Sequence, residues 1–178
     1  MATRLKIRYS DCGIFPGGWS VRPDEMHFTL RSVRYSATLN ILEFGAGAGT
    51  VALIRLLDKY RVPFKYVSYE DKLEYMCKDP RVQTILWTDF PTTTVDGIFD
   101  LIIIDGPAGL SRTKWYPLIK KNVKPGTIIL VDDYRHFTEF ETALNANFKY
   151  RAVLERTQPH IKGQPQITWL IARVLAGK

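Results

Sequence analysis

The sequence predicts an α/β protein: a doubly wound, mostly parallel sheet closed by an antiparallel β-hairpin. Three observations predict it. From Leu39 onward, short apolar runs alternate with amphipathic segments through five successive units, the rhythm of a chain crossing back over a parallel sheet. Residues 99–105 and 127–132 are solidly apolar runs that end in carboxylates, as strands covered on both faces do. A glycine-rich stretch at 45–49 joins the first run directly to the amphipathic segment after it, at the end of a strand where such sheets bind ligands.

Taken in order, residues 24–35 carry Met26, Leu30 and Val33 at helical spacing, with Asp24 and Glu25 suited to a first turn. Strand 40–44 then leads to helix 50–60, strand 64–70 to helix 72–78, and strand 82–87 to the run 99–105. Helix 111–122 follows, stopped by Lys124-Pro125-Gly126, and strand 127–132 comes next. Helix 136–147 and two strand-like stretches, 150–155 and 166–174, complete the chain. The loop between those stretches holds Pro159, Gly163 and Pro165, so a closing hairpin fits best. No repeat or Pro/Ser-rich linker divides the chain, which predicts a single domain over 1–178. Within it we distinguish an N-terminal segment 1–38, a core 39–135 and a C-terminal helix and hairpin 136–178.

The composition, 46% apolar and 24% charged over 178 residues, excludes disordered and fibrous classes. Cys12 and Cys77 are too few for a disulfide framework or a metal-ligand set. No apolar run reaches the roughly 18 residues of a membrane span, and the opening residues lack the apolar core of a secretion signal, so a cytoplasmic setting is expected. The net charge of +7 raises a polyanion as partner, yet it is unevenly spread. Residues 39–111 hold seven basic and ten acidic side chains, whereas residues 112–178 hold twelve and five. The basic residues of the tail are scattered over two helices and a hairpin, which reads as a solvated surface.

Residues 41–50 read Ile-Leu-Glu-Phe-Gly-Ala-Gly-Ala-Gly-Thr. A dinucleotide fingerprint counted from Gly45 needs Gly or Ala at position 50, where Thr stands, and Glu43 would add negative charge near a diphosphate. A cationic or amine-bearing ligand suits it better. The pattern Glu43-x-Gly45-x-Gly47-x-Gly49 resembles motif I of the class I S-adenosylmethionine-dependent methyltransferases, and the likeness runs in order through residues 39–135. It implies the Rossmann-like, seven-stranded methyltransferase fold, with S-adenosylmethionine as cofactor. On that resemblance Glu43, Gly45, Ala46, Gly47 and Gly49 form the cofactor loop. Glu70, with Asp71, ends the second strand where the family holds the ribose hydroxyls; a carboxylate can accept two at once. Asp89 resembles the adenine-contacting acid, and Asp105 faces the methionine end of the cofactor and the substrate. Gly17-Gly18-Trp19-Ser20 is placed to act as the family's lid.

The pair formed by Asp105-Gly106-Pro107 and Asp132-Asp133 is closest in pattern to small-molecule and sugar O-methyltransferases. Several of those bind Mg²⁺, which makes Asp105, Asp132 and Asp133 a candidate three-oxygen metal site. Catechol-type members carry a lysine base three residues after the acid; Ala108 stands there in this chain. Asp105 and His136 are therefore the candidate catalytic residues, with Lys114 behind them, and Arg135 is read as a substrate anchor or a partner of Asp133.

The leading expectation is methyl transfer to a hydroxyl of a small molecule or sugar. An RNA or other nucleic-acid methyltransferase is one alternative. A non-catalytic methyltransferase-fold subunit, working with a partner or a second copy, is another.

Overall fold

The computed structural model describes residues 3–8, 23–87, 94–107, 109–135, 137–157 and 168–176. In chain order the elements are β1 (Thr3–Arg4), α1 (Pro23–Ser32), β2 (Arg34–Tyr35), β3 (Leu39–Phe44), α2 (Ala48–Lys59), β4 (Phe64–Glu70), β5 (Val82–Leu86), β6 (Leu101–Ile104), α3 (Trp115–Ile119), β7 (Ile128–Val131), α4 (Thr138–Asn147), β8 (Tyr150–Thr157) and β9 (Thr168–Val174). Seven strands form one sheet in the order β5-β4-β3-β6-β7-β9-β8, while β1 and β2 pair separately. The first five are mutually parallel, and β9 runs antiparallel to both β7 and β8. The doubly wound sheet with its closing hairpin is as expected.

Side chains alternate between the two faces because a strand has a period of two. Ile41, Leu101, Ile103, Ile128 and Leu130 point toward α1 and α2, where they meet Met26, Leu30, Leu53 and Leu57. Leu42, Phe44, Ile102, Ile104, Ile129 and Val131 point the other way, toward Trp115, Tyr116, Phe140 and Leu144 of α3 and α4. Phe44 stacks on Trp115 with ring centroids 3.8 Å apart, which seats the end of β3 on α3. Helices thus cover the sheet on both faces.

Three expected helices differ. The first ends at Ser32 instead of Tyr35, because Arg34 and Tyr35 pair with Arg4 and Thr3 as a short ribbon. The segment 72–78 forms only a 3₁₀ turn at Leu73–Tyr75. Seven residues cannot offset helix nucleation, and Pro80 turns the preceding residue away from helical geometry. The segment 111–122 is broken into a 3₁₀ stretch (Gly109–Lys114), α3 and a second 3₁₀ turn (Lys120–Asn122). Pro117 explains the break: it lacks an N–H to donate backward, so α3 begins just before it and places it in a first turn, where no such donor is needed.

Candidate functional site

The strand order reverses direction between β3 and β6, so a crevice opens at their C-terminal ends. The loops leaving these two strands touch there. Gly45 has φ +97, in the left-handed region that favours glycine. A Cβ on Gly45 would stand 2.6 Å from the amide nitrogen of Gly106, and a Cβ on Gly106 would stand 2.7 Å from the Cα of Gly45. The amides of Asp105 and Gly106 donate to the carbonyl of Phe44 at 2.9 and 2.6 Å, while the amide of Gly45 donates to the carbonyl of Tyr69 at 2.9 Å. Ends of β4, β3 and β6 are thereby tied to one another.

Glu43 lies beneath the glycine loop and is only 2% exposed. Its Oε2 accepts from Thr50 Oγ1 at 2.7 Å and from Ser68 Oγ at 2.9 Å. Thr50 Oγ1 in turn accepts from the amide of Gly47 at 3.0 Å. This relay runs from a buried carboxyl to the loop backbone and sets the loop's shape from below. Burial pushes the Glu43 carboxyl up to about 7, against the pull of the Thr50 and Ser68 hydroxyls. Gly47 differs from Gly45: a Cβ there meets nothing within 4 Å, so its Cα borders open space. Gly49 is buried in the first turn of α2. Gly47, Ala48 and Val51 line one side of a cleft of about 310 Å³, and Tyr75, Met76 and Cys77 line the other.

Glu70 ends β4 beside this loop. It is 4% exposed, and its Oε1 accepts from the amide of Lys72 at 3.0 Å. Burial raises its carboxyl to about 7, Asp71 adds to the rise, and the amides of Lys72 and Ala46 oppose it. The Ala46 amide places Glu70 within reach of the glycine loop. Asp71 is exposed.

Asp105 and Asp132 end the adjacent parallel strands β6 and β7. Their carboxyls approach within hydrogen-bonding reach, and desolvation followed by that proximity lifts Asp105 well above the usual carboxylate range. Holding both strand ends is Arg112, a buried guanidinium that residue spacing does not single out. It donates to the carbonyls of Asp105 at 2.5 Å, Asp132 at 2.8 Å and Pro107 at 3.1 Å. Thr50 and Ser68 are likewise not singled out by pattern, although a serine between Val67 and Tyr69 in β4 signals a buried polar partner.

The expected metal triad does not assemble. Asp133 has φ +55 and turns toward Arg112, with Oδ2 3.7 Å from Nη1, so it does not join Asp105 and Asp132. Among the described residues no group of three or more His, Cys, Asp or Glu side chains could hold a metal ion. Arg135 does not bond Asp133 either; it pairs with Glu141 and Glu155. Lys114 is exposed at the end of the 3₁₀ stretch. Asp89, His136, Ala108 and the Gly17–Ser20 turn lie outside the described residues.

No family model and no curated protein sequence matches the chain. Solved structures do. The N-methyltransferase NodS from Bradyrhizobium japonicum WM9 superposes with a TM-score of 0.63 at 15% identity, covering 86% of this chain and 93% of its own. NodS in complex with S-adenosyl-L-homocysteine gives 0.60 at 17% identity over 85% and 84%. Precorrin-6y C5,15-methyltransferase from Geobacter metallireducens GS-15 gives 0.61 at 12% identity over 89% and 92%. With its strand order and its antiparallel edge pair, the chain has the Rossmann-like methyltransferase fold.

Proposed function

We propose that this protein is an S-adenosylmethionine-dependent methyltransferase whose acceptor is a hydroxyl oxygen of a small molecule or sugar. The observation that carries the reading is the convergence, at the reversal point of the sheet, of an open glycine loop, the carboxyl of Glu70 and the Asp105–Asp132 pair. The residues present fit the cofactor. Gly47 leaves open space where any side chain would intrude, and Glu70 is a carboxylate held beside the loop with acceptor capacity beyond its bond to Lys72.

In this reading Glu70 accepts the ribose hydroxyls and the backbone of 45–47 borders the ligand. Glu43 shapes the loop through Thr50 instead of meeting the ligand from an exposed position. S-adenosylmethionine supplies a methyl group already activated on a sulfonium, so alignment and the removal of one proton are the protein's share of the work. Asp105, held beside Asp132, is in its ionised form the group that takes the acceptor's hydroxyl proton.

Isothermal titration tests the cofactor reading. S-adenosylhomocysteine should bind in the micromolar range, and Glu70→Ala should weaken it about tenfold or more, the loss of one charge-assisted hydrogen-bonding group. Absence of binding by either form of the cofactor at millimolar concentration would sink it.

A further inference from the structure

Arginines from the two ends of the chain converge on the face of the sheet that α1 covers. Arg4 on β1 stands opposite Arg34 on β2, and Arg151 on β8 stands opposite Arg173 on β9. Arg4 Nε donates to the carbonyl of Arg31 at 2.9 Å, and Arg173 Nη2 donates to the carbonyl of Ser32 at 2.7 Å. Both pairs therefore meet at the C-terminal end of α1. Burial, and then the nearby charges of Arg34, Arg151 and Arg4, pull Arg173 below the usual guanidinium range.

A bulge makes this arrangement possible. The register shifts between Ala152 and Leu154, so Arg151, Leu154 and Arg156 stand opposite Arg173, Ile171 and Trp169 and share one face. Without the shift Arg151 would share the face of Glu155, which pairs with Arg135. The bulge thus carries Arg151 away from a carboxylate and onto the face of Arg173.

Like charges directly opposite one another on paired strands are destabilising, and here two such pairs adjoin. Among the described residues no carboxylate bonds Arg4, Arg31, Arg34, Arg151 or Arg173. Capping the last carbonyls of α1 accounts for Arg4 and Arg173. It uses one of five N–H donors on each, and it does not account for Arg34 and Arg151, which are exposed. On the same helix Phe28 is 37% exposed, with the guanidinium of Arg156 5.9 Å from its ring centroid and His27, its neighbour, 3.5 Å from Arg31. One part-exposed ring beside an arginine suits stacking of a base, whereas insertion into a membrane asks for a broad apolar face. Guanidinium forks, which make up the whole cluster, match phosphate oxygens in pairs.

We propose that this face, with Arg4, Arg31, Arg34, Arg151 and Arg173 at the C-terminal end of α1 and Phe28 on the same helix, binds the phosphate backbone of a single-stranded nucleic acid. It is built from different elements than the crevice at the strand ends, and it stands or falls independently of methyl transfer.

The test is fluorescence anisotropy of a labelled 20-residue oligouridylate titrated with the full chain between 50 and 200 mM salt. Four or so phosphate contacts give a log–log salt slope of about −3. Arg34→Ala/Arg151→Ala should weaken binding at least tenfold and flatten the slope by about 1.4, two contacts' worth. Lys120→Ala/Lys121→Ala removes the same charge from the turn after α3, on the opposite face, and should change affinity less than twofold. Each single arginine variant should give about a threefold loss, and circular dichroism with a urea midpoint confirms the fold of each. No binding at 50 mM salt overturns the proposal, as does an equal loss in the lysine and arginine doubles. Arginine-dependent binding to phosphatidylserine vesicles without binding to the oligouridylate also overturns it, in favour of a membrane surface.

Discussion

Gly45 and Gly106 meet backbone to backbone: each occupies the space that a Cβ on the other would need, at 2.6 and 2.7 Å. The contact joins the loops after β3 and β6 at the point where the sheet reverses, so it sets the width of the crevice. Neither obstacle is the far end of a flexible side chain. Gly106→Ala must therefore push the loops apart, at a cost of about 3 kcal/mol, the upper part of the usual range for overpacking. A fall in the urea midpoint, accompanied by weaker S-adenosylhomocysteine binding in titration, is the expected result.

Gly47→Ala should separate stability from binding. Its added methyl enters open space beside the cleft, and its backbone is extended, which any residue adopts. The urea midpoint should hold within about 0.5 kcal/mol, while affinity for S-adenosylhomocysteine falls severalfold because the methyl occupies ligand space. Equal affinity would show that the ligand does not approach Gly47.

Glu43 makes stability depend on pH. Its carboxyl titrates near 7 in the folded chain against an ordinary value of 4.5, so the folded state holds the proton more tightly. Stability is then highest below pH 4.5, falls as pH rises from 4.5 to 7 and levels off above, a loss of about 3 kcal/mol from this group. Glu43→Gln keeps an oxygen to accept from Thr50 and Ser68 but cannot ionise. Its unfolding free energy relative to the parent should rise across pH 5 to 7.5, read by urea denaturation at each pH.

How much of this was legible in the sequence depended on whether the relevant partners were near in the chain or periodic along it. Glu70 and Asp105 could be placed because each ends an apolar run, and the run's direction places its end in the crevice. Residues 111–122 read as one helix, but in the fold the missing N–H of Pro117 decides where α3 begins. Arg112 had no pattern to betray it, since its role is to bridge carbonyls of Asp105 and Asp132, which come together only when β6 pairs with β7. The arginine face was hidden for a related reason: Arg4 and Arg173 lie at opposite ends of the chain, and a single bulged residue on β8 decides which way Arg151 points.

Asp105→Asn tests the proton acceptor. The asparagine keeps the volume and can donate to Asp132, but it cannot pass a proton on. Methyl transfer to a hydroxyl acceptor should fall by roughly 10²- to 10⁴-fold, the usual worth of a positioned acid–base group, while S-adenosylhomocysteine affinity stays within about threefold. Because burial and the neighbouring Asp132 raise the Asp105 carboxyl well above the ordinary carboxylate range, the parent's rate should rise with pH as that carboxyl ionises, and the variant's should not.

Arg112 holds three backbone carbonyls with a single side chain that is 5% exposed, and its ring-facing side lies over Phe140 at 5.6 Å. Removing it leaves those carbonyls without their donors and leaves Asp132 and Asp105 free to separate. Arg112→Ala should destabilise by about 3 kcal/mol or more, since unsatisfied buried acceptors and a cavity add together. Arg112→Lys retains the charge but replaces a planar fork with a single ammonium on a different stem, which cannot reach along three directions at once. It should recover part of the stability and little of the activity. The pH–rate profile then distinguishes support of the fold from positioning of the carboxyls: if Arg112 holds the pair together, the lysine variant shifts the profile toward that of an ordinary, separate carboxylate. An unchanged profile with lowered stability would confine Arg112 to the fold.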